Sequence, residues 1–256
     1  MSATPKRYLI IACHVLWREL CHLAAFSENT FDFVFLNQGL HDTPDQLRIE
    51  LQAAIDAADV SPQGEQGAEG AEANCKYEAI LIGYGLCSNG IEGIVARNTQ
   101  LVVPRGHDCI TFFLGSKERY KEYFDANPGT YWYTPGWIDD TVQPSRERYE
   151  SSLAIYTERY GEDNAEYLME MESNWFKEYK KAAFIDYDFM NFERYKEYTK
   201  ECAEYLNWEY DELKGDMTLL QAFLAGPKHW SEDKFLIIAP GEVIAASHDE
   251  RIVCKG

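Results

Sequence analysis

The sequence is short of positive charge. Lysine and arginine number 24 against 43 aspartates and glutamates, a formal net charge of -19 over 256 residues. Such a chain repels phosphate backbones and anionic bilayers, so nucleic acid and membrane surfaces are excluded as expected partners. No apolar run reaches the roughly 18 residues that cross a membrane. Residues 1–7 are short and polar, with no apolar core leading to a small-residue cleavage site, so a cytoplasmic location is expected. No fixed-period repeat and no P-loop are present. The dinucleotide fingerprint is missing too: Gly83-Tyr84-Gly85 would need a glycine at position 88, where Ser88 stands.

What is present is a globular composition, 46% hydrophobic and 14% aromatic. The length favours one large domain over residues 1–256, with sub-halves 1–126 and 180–256 meeting somewhere in 126–180. Residues 61–74, rich in Gly, Ala, Glu and Gln, read as a variable surface loop. Seven cysteines stand at 13, 21, 75, 87, 109, 202 and 254. An odd count without an export signal argues against a disulfide framework, leaving core filler, metal ligand or nucleophile for each.

Apolar runs predict strands over Arg7–Ala12, Phe31–Leu36, Tyr77–Ile82, Leu101–Val103, Ala182–Asp186 and Phe235–Ile238. Helices are expected over Val15–Ala25, Asp45–Asp59, Ile110–Phe124, Phe192–Leu206 and Tyr210–Leu224, with one or two more in Arg146–Lys180. Gly115 to Lys117 breaks or kinks the third of these. Thr130 to Trp137 is aromatic but too rich in breakers to be a helix. Alternating strands and helices predict an α/β fold with a mainly parallel sheet in a Rossmann-like three-layer architecture.

In open parallel sheets, ligands sit beyond the carboxyl ends of the strands. Cys13 follows the first predicted strand, Cys87 the third and Cys109 the fourth. A single buried cysteine is usually a small hydrophobe. Cysteines at several strand ends, each beside Gly or His, point instead to a common site, provided their strands are neighbours. Residues two apart in extended backbone face the same side, so His107 and Cys109 can bind one ion from one turn. Thiolate and imidazole donors suit zinc, and thiolates also suit iron–sulfur clusters. Asp108 can orient a ligand from behind. His14 ranks below His107, because adjacent side chains diverge. Cys21 and His22 lie in a helical pattern, and Cys75, Cys202 and Cys254 carry no site signal.

The glycine turn adds a second candidate. Gly83-x-Gly85 and Gly90-x-x-Gly93 resemble a phosphate-binding strand-to-helix turn, and in it Gly85 with the amides of Ser88, Asn89 and Gly90 can hold an anion at a helix start. Equally, glycines let backbone pass close to a buried site. Arg105 and Lys117 are cations near this place, able to meet a carboxylate or phosphate substrate; a solvated pairing of Lys117 and Arg119 with Glu118 and Glu122 is the plainer reading. With Asp108 they form the candidate catalytic set. Tyr131 to Trp137 can line a pocket or cover the core. Asp186, Asp188 and Gly241-Glu242 are expected at the same sheet edge as the cysteines.

Four segments carry a resemblance: Gly83-Tyr-Gly-Leu-Cys87-Ser-Asn-Gly90, Arg105-Gly-His-Asp-Cys109-Ile-Thr, Leu114-Gly-Ser-Lys-Glu-Arg-Tyr120 and Pro128-Gly-Thr-Tyr-Trp-Tyr-Thr-Pro-Gly136. They are similar to an uncharacterised family, a domain of unknown function, of anaerobic archaea and bacteria. Its members often accompany corrinoid-dependent methyltransferase systems. The resemblance implies a role near methyl or one-carbon transfer, with proteins of such a system as partners. It carries over Cys87, His107, Asp108 and Cys109, with Cys13 from the opening strand. His107-x-Cys109 also resembles the His-x-Cys of zinc methyltransferases that activate a thiol, although the eight strand–helix repeats of their barrel are missing. The cobalamin-binding pattern Asp-x-His-x-x-Gly is absent as well.

The leading expectation is a metal-dependent enzyme or accessory protein, with zinc on Cys13, Cys87, Cys109 and His107 and an open position for a small-molecule substrate. The first alternative is a four-iron cluster on three thiolates. The second is a non-catalytic module that holds a small ligand or a partner, its cysteines being core. A Cys109 nucleophile activated by His107 is a weaker option, since side chains two apart make a poor nucleophile–base pair.

Overall fold

Residues 4–59, 76–189 and 191–256 are described by the computed structural model of the chain. The expected loop over 61–74 and Cys75 lie outside the described residues. In chain order the strands are β1 (Arg7–Cys13), β2 (Thr30–Leu36), β3 (Ala79–Gly83), β4 (Leu101–Pro104), β5 (Thr130–Tyr133), β6 (Lys181–Asp186), β7 (Glu209–Lys214), β8 (Phe235–Ile238), β9 (Ile244–Ala246) and β10 (Val253–Lys255). The helices are α1 (Trp17–Ala25), α2 (Pro44–Ala58), α3 (Ile110–Leu114), α4 (Lys117–Ala126), α5 (Pro135–Asp140), α6 (Arg146–Tyr160), α7 (Glu162–Ser173), α8 (Glu193–Leu206) and α9 (Thr218–Ala225). The chain divides into two compact units, Met1–Lys117 with Asp216–Gly256, and Glu118–Gly215. The segment 126–180, where a boundary was expected, falls inside the second unit.

The first unit is built on a five-stranded sheet of order β2-β1-β3-β4-β8. β1 is buried at every residue after Arg7, and β3 and β4 are buried throughout. That is the pattern of central strands covered on both faces, and their Ile, Leu and Val runs provide it. β1 to β4 pair in parallel, whereas β8 runs antiparallel on β4. The chain steps from β1 out to β2, then crosses back over β1 to β3. The ends of β1 and β3 therefore flank a switch point, where such sheets open a crevice beyond the carboxyl ends.

Helix α2 opens with Pro44 and buries Leu47, Leu51 and Ile55, four residues apart, against β1 and β2. The expected helix 110–124 is divided into α3 and α4. Gly115, at φ 79°, ends α3 in a left-handed turn, and a Cβ there would stand 2.7 Å from Asp216 Cγ. Because β8 is antiparallel, Gly241-Glu242 lies at the opposite edge from the ends of β1, β3 and β4, contrary to expectation.

The second unit holds a separate parallel sheet, β5-β6-β7. Thr130–Tyr133 is strand β5, and the Thr134 hydroxyl accepts the Trp137 amide at 3.2 Å to start α5. The first third of the expected helix 210–224 is strand β7. Its polar residues pair in register with β6, and Lys181 Nζ reaches Glu209 at 3.3 Å and Asp211 at 3.6 Å. Tertiary pairing thus overrides the local helical pattern. Asp186 ends β6 in this second sheet, not at the cysteines' edge, and pairs with Lys196 at 3.1 Å, while Asp188 pairs with Lys214. The fold is mixed α/β with a mainly parallel central sheet. Among the described residues no helix is long and apolar enough to cross a membrane.

Glu19 on α1 is fully buried, and among the described residues neither carboxylate oxygen has a hydrogen-bond partner in another residue. Burial pushes its pKa from near 4.5 up to about 8, which the Arg18 charge only partly opposes. The native state therefore holds a proton that the unfolded chain has lost. Stability from this group is complete below pH 4.5. It declines as pH rises and is lost by about pH 8, a difference of at most roughly 5 kcal/mol. Glu19→Gln should remove that slope. Urea denaturation at pH 5 and pH 8 would show the variant gaining several kcal/mol on the wild type at the higher pH; equal differences at both would contradict a buried neutral Glu19.

Candidate functional site

Three neighbouring strands, β1, β3 and β4, end on one edge of the first unit's sheet, which is the condition the cysteine pattern required. Cys13 is the last residue of β1. The turn 84–90 follows β3, and 105–109 follows β4. These two turns are joined backbone to backbone: the Leu86 amide donates to Gly106 O and the Cys87 amide to His107 O, both at 2.8 Å. Gly85 permits this approach, since a Cβ there would stand 2.7 Å from Asp108 N and 2.8 Å from Gly106 O.

Cys87, Ser88 and Asn89 all have positive φ, at 45°, 56° and 66°. Three successive left-handed residues cost about 1–2 kcal/mol each where a Cβ is present, with Asn the most tolerant. The turn is held by its surroundings. The Gly90 amide donates to Cys87 O at 2.9 Å, and Arg48 of α2 donates to Asn89 O at 3.2 Å and to Glu92 O. Strain retained in this way is characteristic of sites that need a side chain in one place.

The thiols of Cys13, Cys87 and Cys109 come within electrostatic reach of one another. Burial pushes the Cys87 thiol well up, and the charges of Asp108 and Cys13 add to it. Burial raises Cys109 likewise, followed by Asp108, Cys13 and Cys87. A thiol raised in this way is a poor nucleophile as it stands, which counts against the Cys109 nucleophile. Among the described residues, no three histidine, cysteine or carboxylate side chains stand close enough together to hold a metal ion without moving.

His107 departs from expectation. Its side chain is exposed, and what it lends to the turn is its carbonyl. The argument from residues two apart assumed extended backbone, but Cys109 has helical angles, φ −67° and ψ −18°, and caps α3. Asp108 accepts the Ile110 amide at 3.0 Å, which fixes it beside Cys87 and Cys109. Arg105 is buried and donates to the carbonyls of Glu232, Arg251 and Val253, so it ties down the carboxyl-terminal segment instead of facing a substrate. Lys117 donates to Glu250 O at 2.6 Å. The anion cradle is also altered. Residues 87–93 form turns with no helix behind them, and the Gly90 amide is already used.

One member of the site was missed. Tyr84, between Gly83 and Gly85, is 2% exposed, and its hydroxyl has no hydrogen-bond partner among the described residues. Burial raises its pKa strongly, and the charges of Cys13, Cys87, Cys109 and Glu50 raise it further. The available signal was a bulky phenol between two glycines at a strand end, where the backbone is otherwise kept slim.

A family model described as a protein of unknown function, DUF1638, matches residues 35–224. The chain belongs to this family. The DUF1638 match includes Tyr84, Cys87, Asp108 and Cys109, and Cys13 precedes it. No curated protein and no solved structure matches the chain.

Gly85→Ala tests the junction of the two turns. Its Cβ would meet backbone atoms that cannot withdraw without breaking the pair of hydrogen bonds, so a loss of about 1–3 kcal/mol is expected. Reaction of Cys87 and Cys109 with an aromatic disulfide reagent should speed up in parallel. Gly39→Ala, where a Cβ meets nothing within 4 Å, is the control. Equal melting and thiol reactivity in both variants would contradict the close approach.

Proposed function

We propose that the edge formed by β1, β3 and β4 is a soft-metal site in an enzyme or accessory protein of methyl or one-carbon metabolism. Cys13, Cys87 and Cys109 are its ligands. The observation that carries this reading is that three cysteines stand at or just beyond the ends of neighbouring strands, two of them on turns joined by backbone hydrogen bonds. The strongest charged neighbour of Cys87 and of Cys109 is the acidic Asp108, so a positive charge from outside the protein would favour their ionisation. A thiophilic divalent ion supplies it, and zinc is the first choice. The donor types fit, and the thiols must close in on the ion, since they do not stand at ligand spacing. When bound, zinc would make a coordinated thiol ionise near neutral pH. The unit 1 sheet is proposed to be a Rossmann-like layer with this crevice at its switch point, open to a small-molecule substrate. The resemblance to a family that accompanies corrinoid-dependent methyltransferases supplies the metabolic setting and the proposed protein partners.

A second reading is a four-iron cluster with one iron open to substrate. The exposed His107 favours it, because the set is then three thiols, buried at Cys13 and half-buried at Cys87 and Cys109, with no nitrogen donor.

The test is elemental analysis with a visible spectrum on protein purified without oxygen. About one zinc per chain supports the first reading, and iron with sulfide and a broad visible band supports the second. Cys87→Ser and Cys109→Ser should each lose the metal while melting within about 1 kcal/mol of the wild type. Stoichiometric metal retained by both variants would sink the assignment of ligands.

A further inference from the structure

We infer that strand β2 is an interface at which a second copy of this chain adds its own β2, antiparallel, and so extends the five-stranded sheet. β2 stands at the end of the order β2-β1-β3-β4-β8, and among the described residues no strand lies on its outer side. The Thr30 amide donates inward to Lys6 O at 2.9 Å. Backbone groups alternate sides along a strand, so those of Asp32 and Val34 also face β1, and the N–H and C=O of Phe31, Phe33 and Phe35 face outward. An edge of unpaired donors and acceptors is a template for another strand. Its usual safeguards are missing here. β2 has seven residues in unbroken register with β1, which excludes a bulge, and Thr30–Leu36 contains no lysine, arginine or proline. The opposite edge strand, β8, has only four residues.

What favours a second copy over any other strand is the self-complementarity of this edge. A two-fold axis through the middle of β2 sets Phe33 opposite Phe33 of the second copy and Phe31 opposite Phe35. Each such pair exchanges both backbone bonds, as the hydrogen-bonded pairs of an antiparallel ladder do. The three phenylalanines share one face of the strand and are half-buried there. Their rings form a row, with centroids 6.3 Å apart from Phe31 to Phe33 and 5.5 Å from Phe33 to Phe35, and Tyr8 stacks on Phe31 at 5.8 Å. Across the axis the two rows meet as aromatic cross-strand pairs. Charge permits the approach. Two chains of net charge -19 repel each other, so a contact between them needs a surface poor in acid. The one charged residue of β2, Asp32, lies on the other face, held by Arg7 at 2.8 Å and by the Tyr77 hydroxyl at 2.6 Å. In this register it falls opposite Val34 of the second copy, so like charges do not meet.

The experiment measures the mass of the wild-type protein by sedimentation over a range of concentrations, with residue-resolved amide hydrogen exchange on the same samples. Two chains per particle are expected at the higher concentrations. The amides of Phe31, Phe33 and Phe35 should then exchange slowly and become fast on dilution, while those of Asp32 and Val34 stay slow throughout. Phe33→Pro removes an outward N–H from each copy and no bond to β1, so the fold should survive. Self-association should weaken about thirtyfold, the loss of two hydrogen bonds of about 1 kcal/mol each. Phe33→Lys, which sets like charges opposite each other on the axis, should act in the same direction. Circular dichroism and melting check that each variant is folded. A single-chain mass at every concentration overturns the inference. So does a dimer whose Phe31, Phe33 and Phe35 amides exchange as fast as in the diluted protein, since the contact then lies elsewhere, and so does a folded variant that dimerises as well as the wild type. Should both variants misfold, the exchange pattern of the wild type decides alone.

Discussion

Two backbone hydrogen bonds, from Leu86 to Gly106 and from Cys87 to His107, are the constraint on which the candidate site depends. They join the turn that follows β3 to the turn that follows β4. Without them the turns would be free to part, and the thiols of Cys87 and Cys109 with them. Gly85 is the steric condition for the contact. The left-handed run from Cys87 to Asn89 is its conformational cost, held in place by Arg48 and by the Gly90 amide. Cys13 needs none of this, because β1 is the immediate neighbour of β3 and ends at the same edge.

Scarce positive charge shapes the rest of unit 1. Arg48, Arg105 and Lys117 all donate to backbone carbonyls, securing a turn, the carboxyl-terminal segment and a surface loop. Carbonyls left over at irregular chain ends need donors, and long basic side chains reach them. The acidic surplus meanwhile surrounds thiols that stay protonated. Buried acids held neutral recur in this unit: Glu19 keeps its proton through burial just as the thiols do.

Much of the fold was legible because its signals are local. The runs of Ile, Leu and Val in β1, β3 and β4, and the spacing of Leu47, Leu51 and Ile55, declare buried strands and a one-faced helix on their own. The expectations that failed had decisive terms that were non-local. Tyr210–Lys214 reads as the start of a helix until β6 offers it a partner strand. Gly241 was placed at the wrong edge because nothing in Phe235–Ile238 reveals its direction beside β4. His107 was paired with Cys109 on the assumption of extended backbone, which the start of α3 removes.

The sequence by itself determined that this is an acidic α/β chain whose cysteines stand at the ends of apolar strands. Residue chemistry and periodicity need no partner to be read. Only the tertiary structure decided that β1, β3 and β4 are neighbours, so that their cysteines share one edge, and that the Tyr84 hydroxyl is buried without a hydrogen-bond partner among the described residues. It also decided that Arg105 faces carbonyls. Strand order, strand direction and the burial of a single hydroxyl are set by contacts between residues far apart in the chain, and such contacts leave no mark on the local pattern.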